Sequence, residues 1–335
     1  MDDLKTFGRD SQQQERLLQT VKRFSDDINM KFGLDKCATT EFKRGKLTET
    51  TSIILDEETA IKELQQEDSY KYLGINEAEG IQHAKMKEKI RKEYYRRVRL
   101  ILKSELNAVN RIAAINSLAI PVITYSMNII NWQTNDIKKL DTKTRKFLTM
   151  YGMHHPKADV DRLYLPRNEG GRGLIQIELT YKITTAGLET YLRESKDRMM
   201  KLVLEHEKKK KLYSVVKEAA KFRQELGIDQ TEHKETDSVT KKAKKVKDLV
   251  KKQGKEQIRI RWEQKPLHGQ YLKRVKRPDI DEMETHKWLK SSGLKSETEG
   301  LIIVAQDQSL MTKQYQSEII KNGVNPKCRL CNEYN

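Results

Sequence analysis

The chain has 335 residues, a formal net charge of +17, 34% charged residues and 36% apolar ones. Glycines and prolines are few, which argues against many short strands joined by tight turns, and three cysteines are too few and odd in number for a disulfide framework. The surplus of Lys and Arg points to a polyanionic partner, nucleic acid before acidic membrane.

The N-terminus is acidic and polar, without the pattern of a secretory signal. Leu17, Val21, Phe24 and Ile28 recur at helical spacing and predict an amphipathic helix of about six turns at most, stopped near Gly33. "CATTEF" and "SIILDE" read as short strands with "KRGK" as a turn, and "YKYLGI" adds another apolar strand and turn.

From His83 the apolar positions Ile90, Tyr94, Val98, Ile101, Leu102, Leu106, Val109 and Ile112 follow a helical period, with Lys and Arg on the opposite face. Ile112 to Asn135 carries no charge and has the length of a membrane span. Asn116, Ser117, Thr124, Ser126 and Asn128 dilute it and Pro121 interrupts it, so a buried helix pair is the expectation and a membrane partner is rejected. A third helix follows in "NDIKKLDTKTRKFLTMYGM", capped by Asn135 or Asp136 and ended by Gly152.

"HHPKADVDRLYLPRNEGGRGL" is irregular, and helix resumes with "IQIELTYKITTAGLETYL". The lysine-rich region around residues 205–255 is expected to be helical but loosely packed, and "KKAKKVKDLVKK" reads as a solvated helix or an import signal. The expected fold class is mainly α (α+β). Expected divisions are 1–80 with short strands, 81–196 helical, 197–255 a charged helical linker, and 256–335 a small helical C-terminal region.

The ordered stretches "MDDLK", "FGLDKCATTEF", "YKYLGI", "AIPVITYSMNIINW", "LDTKTRKFLTMYGMHHPKADVDRLYLPRNEGGRGL" and "ETEGLIIVAQDQSLMTKQY" followed by "CRLC" resemble the reverse transcriptases of non-LTR retrotransposons. The resemblance runs from the active-site hairpin of the palm, through the thumb, to the start of the zinc knuckle. It covers nearly the whole chain and weakens around 205–255. It implies RNA-directed DNA polymerase chemistry, with RNA and DNA as partners, in the nucleus after cytoplasmic assembly.

The resemblance implies that Asp2 and Asp3 match the Mg²⁺-binding pair, with Lys36 at the position that protonates departing pyrophosphate. Tyr70, Tyr72, Leu73 and Gly74 match the primer grip, with Gly74 allowing close backbone approach. Lys85, Lys87, Lys89, Arg91, Lys92, Arg96, Arg97 and Arg99 lie on the basic helix that becomes the thumb, where forked and point charges suit a phosphate backbone. Arg167 and Arg172, in "RNEGGRGL", are expected to be structural first, with RNA or DNA backbone contact as the weaker second role; His154 and His155 are adjacent and diverge, so packing suits them better than metal. Cys328 and Cys331 have C-x-x-C spacing and supply half of a Zn²⁺ site.

The family's other aspartate and the strand pairing with the hairpin are expected upstream of Met1. The chain by itself is therefore expected to hold neither Mg²⁺ nor Zn²⁺ stably and to show negligible polymerase activity, while retaining nucleic-acid affinity. The alternative is a non-enzymatic, basic helical nucleic-acid-binding protein.

Overall fold

The computed structural model describes residues 4–31, 33–48, 52–56, 60–64, 69–78, 80–228, 237–291, 293–327, 331 and 333. The architecture is mainly α, with small antiparallel strand pairs confined to the N-terminal part. The chain divides into residues 1–88 and 89–335.

In the first unit, α1 (Ser11–Asp27) starts at Asp10, whose side chain accepts from the Gln13 amide. It ends at Asp27, before Gly33, because Asn29 turns the backbone to φ 55°. Three two-stranded hairpins follow. β1 (Glu41–Lys43) pairs with β2 (Lys46–Thr48) and β3 (Ile53–Ile54) with β4 (Ala60–Ile61). β5 (Tyr70–Tyr72) pairs with β6 (Ile75–Glu77). The expected "KRGK" turn is present, and Arg44–Gly45 and Leu73–Gly74 both place two successive residues at positive φ, the conformation that two-residue hairpin loops require.

α2 (His83–Lys103) crosses the unit boundary and buries Ile90, Tyr94, Val98 and Leu102, a seam at four-residue spacing. α3 (Ala108–Ala114), capped by Asn107, continues through a π turn at Ile115–Ala119 into α4 (Ile120–Thr124). Pro121 has no amide hydrogen and its ring excludes the carbonyl one turn back. The turn before it widens, and the Ile120 amide donates to the Ile115 carbonyl five residues away. Among the described residues no helix is long and apolar enough to cross a membrane. Ile115, Ala119, Ile123 and Ile130 of the uncharged stretch have no exposed surface.

α5 (Thr134–Met150) starts two or three residues earlier than expected, so Asn135 and Asp136 lie within its first turn instead of capping it. Gly152 follows at φ 69°, as expected. Asp141 of α5 caps the next helix, α6 (Ile177–Glu194): its two oxygens accept from the Ile177 and Glu178 amides, both at 2.9 Å. Burial pushes the Asp141 carboxyl up to about 7 despite these donors.

α7 (Arg198–Lys209) and α8 (Val215–Glu225) lead to α9 (Val239–Gln264). Contrary to the expected loose packing, α9 lies along α6 and buries Ala243, Val246, Val250, Gly254, Ile258 and Trp262. It also runs through the expected boundary at residue 255. α10 (Gly269–Val275), α11 (Glu282–Ser291) and α12 (Ser296–Gln306) follow. The C-terminal helices do not form a separate body: Ala158 shares a core with Leu289, Ile303 and Val304, and the Ala108 amide donates to the Leu294 carbonyl at 3.1 Å. These contacts cross the expected divisions at 196 and 255, and residues 89–335 cluster as one unit.

Two glycines set the approach of α6 to α9. A Cβ on Gly254 would lie 2.2 Å from Cδ1 of the buried Leu179, and one on Gly187 would lie 2.2 Å from Cε of the exposed Lys247. Gly254→Ala must displace a packed side chain, and we expect a loss of about 1–3 kcal/mol in urea melts. Gly187→Ala need only swing a lysine, with helix propensity in its favour, and should change stability by less than about 1 kcal/mol. Equal losses for the two would contradict this packing.

Candidate nucleic-acid interface

The basic face of α2 is built by register. Within the second unit Lys89, Lys92, Arg96, Arg99 and Lys103 step by three and four residues, forming one stripe about 21 Å long at 1.5 Å per residue. All five are exposed. Lys85 and Lys87 lie on the part of the helix that belongs to the first unit, and Arg91 is exposed beside the stripe.

α5 extends this surface. Tyr94 of α2 and Thr144 of α5 share a buried hydrogen bond of 2.7 Å, and the rings of Tyr95 and Phe147 meet edge-on at 5.5 Å. The Arg99 guanidinium lies 5.5 Å from the Phe147 centroid and Lys143 Nζ 5.0 Å from it. Cations from the two helices therefore converge over one ring. Lys139, Lys143 and Lys146, exposed on α5, repeat the three- and four-residue spacing. The sequence reading missed these three and Lys103; their register with the α2 row was visible, but the adjacency of the two helices was not.

Part of the charge is used locally. Arg96 grips Glu93 with bonds of 2.7 and 2.8 Å, while Arg97 donates to Glu93 at 2.7 Å and to the Leu118 carbonyl at 2.8 Å. Hydrogen bonds from Arg96 and Arg97 pull the Glu93 carboxyl down to about 2, so it stays ionised and cancels one of the two charges. Among the described residues, no carboxylate lies within ion-pair distance of Lys89, Lys103, Lys139, Lys143 or Lys146. Exposed and without such a partner, these five carry the net field of the face.

Arg167 and Arg172 are committed within the fold, the structural role expected first for "RNEGGRGL", rather than to the backbone contact named second. Arg172 is 1% exposed, and its Nε donates to Glu299 at 2.7 Å; Arg167 donates to the same carboxylate at 2.8 Å and to the Leu289 carbonyl at 2.7 Å. Glu299 is itself fully buried. Burial pushes its carboxyl up, but Arg172 and Arg167 outweigh this and hold it below the usual range. Neither guanidinium can meet a phosphate while it is committed to Glu299.

Arg162, which the sequence reading passed over, has no exposed surface. It donates to Asp307 at 2.9 Å and to the Gly170 carbonyl at 2.7 Å, and lies 4.5 Å from the Tyr271 ring. Beside it, Asp159 accepts from His268 Nδ1 at 3.0 Å, and His268 Nε2 meets Ser309 Oγ at 2.9 Å. This has the connectivity of a nucleophilic relay, but Ser309 is fully buried and donates to the Asp307 carbonyl at 3.1 Å. It is a strut. The hydrogen bond to Asp159 raises the His268 pKa, which favours the doubly donating ring that the strut needs. His154 is also buried, and burial pushes its imidazole down to about 3, in keeping with the expected packing role.

The residues matched to catalysis are only partly placed. Lys36 is exposed in a short turn, Leu34–Lys36, and its carbonyl accepts from the Tyr70 hydroxyl at 2.6 Å, so the Lys36 turn and the β5–β6 hairpin are neighbours. Leu73 and Gly74 form the exposed hairpin tip, and Lys5 Nζ lies 5.3 Å from the Tyr72 ring. Asp2, Asp3 and Cys328 lie outside the described residues, and Cys331 is an exposed free thiol. No group of three His, Cys, Asp or Glu side chains suited to a metal occurs among the described residues.

A cleft of about 400 Å³ between α5, α6 and α9 contains Lys138, Arg145, Lys182 and Arg261. Lys182 pairs with Glu225 and Arg261 with Asp161, each at 2.8 Å, and Arg145 donates to the Tyr164 hydroxyl at 2.8 Å. Its charges are internally matched, unlike those of the α2–α5 face. No protein-family model and no curated protein matches the chain.

The Glu299 cluster makes a direct prediction. Glu299→Leu leaves Arg172 buried without its counter-ion, and the urea midpoint should fall by the equivalent of about 3–5 kcal/mol. The double variant Arg172→Met/Glu299→Leu should recover much of that loss. Wild-type stability in the single variant would mean that the pair does not hold the fold.

Proposed function

We propose that this protein binds the sugar–phosphate backbone of RNA and DNA through the basic faces of α2 and α5, as the thumb-bearing part of a non-LTR retrotransposon reverse transcriptase. The observation that carries the binding is the α2 stripe joined to the α5 lysines over Phe147, with five cations lacking a carboxylate partner among the described residues. Rows of exposed point charges on two adjacent helices suit a periodic polyanion. They carry no base-reading constellation, so binding should be weakly sequence-selective.

The reverse-transcriptase reading rests on the ordered sequence stretches. The proximity of the Lys36 turn to the Tyr70 strand supports it, since both are matched to the polymerase centre. Mg²⁺ would have to come to Asp2 and Asp3, and residence in the nucleus would follow from integration chemistry. The non-enzymatic alternative uses the same interface without Asp2, Asp3 or Lys36. Mg²⁺-dependent primer extension, abolished by Asp2→Ala, separates the two.

Binding is tested by titrating a fluorescent RNA–DNA hybrid at several salt concentrations. Replacing Lys89, Lys103, Lys139 and Lys143 with Gln should weaken binding at least tenfold and flatten the slope of log K against log salt by about 3.6, near 0.9 per lost phosphate contact. An unchanged slope would refute this interface.

A further inference from the structure

α9 carries a second row of cations that the α2–α5 interface does not use. Its buried seam, from Ala243 to Trp262, is locked against α6. On the flank beside that seam, Lys244, Lys247, Lys251, Lys255 and Arg259 step by three and then four residues, covering about 22 Å at 1.5 Å per residue. Lys252 is exposed next to them.

The pairing of the helix's lysines is uneven. Near its start, Lys241 bonds Asp237 at 2.8 Å and Lys242 bonds Glu194 at 2.9 Å, while Lys245 also meets Asp237. Beyond that point, no carboxylate among the described residues lies within ion-pair distance of Lys244, Lys247, Lys251, Lys252, Lys255 or Arg259. The exposed acids Asp248 and Glu256 stand three or four residues from Lys244, Lys251, Lys252 and Arg259 and offset part of the row's charge, but neither comes within ion-pair distance of these cations.

Like charges at four-residue spacing repel and destabilise a helix. The repulsion is felt at Lys255, where burial first and Lys251 second lower its affinity for a proton. Lys247 also lies close to the helix: its stem crosses the notch at Gly187 of α6, so that a Cβ there would touch its Cγ, Cδ and Cε. Glu169 partly offsets the repulsion at Lys255, but a row of cations on a packed helix, with no carboxylate at ion-pair distance among the described residues, leaves charge for an external polyanion to neutralise.

We infer that the Lys244–Arg259 flank of α9 is a second nucleic-acid-binding surface, separate from the α2–α5 face, so that one chain holds two nucleic-acid segments at once. An anionic membrane suits it less well. An interfacial helix needs an exposed apolar face, whereas the apolar seam of α9 is buried against α6 and Ile260, 43% exposed, is its one large exposed hydrophobic residue. The length of the row spans about six steps of a duplex at 3.4 Å each. This inference stands apart from the α2–α5 reading, because each surface can be removed without the other.

The test uses the full chain and two 20-base-pair DNA duplexes with different dyes, at low salt. Wild type should co-capture both duplexes and show two per chain by mass photometry. Replacing Lys244, Lys247, Lys251 and Lys252 with Gln should reduce this to one and lower co-capture at least tenfold. The triple variant Lys244→Gln/Lys251→Gln/Lys252→Gln keeps the Lys247–Gly187 contact and should behave alike, with an unchanged melting temperature. The α2–α5 variant, in turn, should keep the single duplex that depends on α9. One duplex per wild-type chain, an α9 variant that still binds two, or a variant that loses only binding to phosphatidylserine vesicles would each overturn the inference.

Discussion

Two buried carboxylates of the C-terminal helix hold the irregular middle of the chain. Glu299 and Asp307 stand eight residues apart, on one face of α12 and its end, and receive Arg172, Arg167 and Arg162 from the segment between α5 and α6. Taking such charges out of water is costly unless every group finds its partner. The segment answers with a short ladder of its own: Arg172 donates to the Arg162 carbonyl, Gly173 to Leu165 and Leu174 to Leu163. Residues that would otherwise be a solvated loop thereby become part of the core, and α12 cannot leave without exposing three arginines to an apolar interior.

That constraint sorts the basic residues into two populations. Arg162, Arg167 and Arg172 are consumed by the fold, as is much of the charge in the 400 Å³ cleft. The surplus remains on helices whose apolar seams are fixed elsewhere: α2 through Tyr94, Val98 and Leu102, α5 through Leu140 and Phe147, and α9 through Val246 and Val250. A rigid seam on one side and unmatched cations on the other is what makes these surfaces suited to the polyanion we propose. The sorting rests on local chemistry, since a forked guanidinium satisfies a buried carboxylate with several hydrogen bonds, while a lysine at the surface stays hydrated.

Much of this was legible in the sequence. The seam of α2 follows from Ile90, Tyr94 and Val98, the first hairpin turn from "KRGK", the end of α5 from Gly152, and the mainly α class from composition and periodicity. The basic face of α2 was also legible, because period and charge sign are local properties. What the sequence concealed depended on partners far along the chain. "RNEGGRGL" looks like an exposed loop until Glu299, more than a hundred residues later, is brought to it. The lysines around 241–255 look like a solvated linker because Val246 and Val250 are few among them; Gly187 and Gly254 decide that this sparse seam packs closely. The π turn before Pro121 was legible as an interruption but not as a widened turn.

The central claim is that the exposed rows, and not the arginines of the 151–176 segment, meet nucleic acid. Hydrogen–deuterium exchange with and without an RNA–DNA hybrid tests it most directly. The account predicts ligand-dependent protection in peptides covering 85–103 and 134–150, with none added in 159–175, where buried backbone hydrogen bonds should already slow exchange. Protection concentrated in 159–175, with α2 and α5 unaffected, would contradict it.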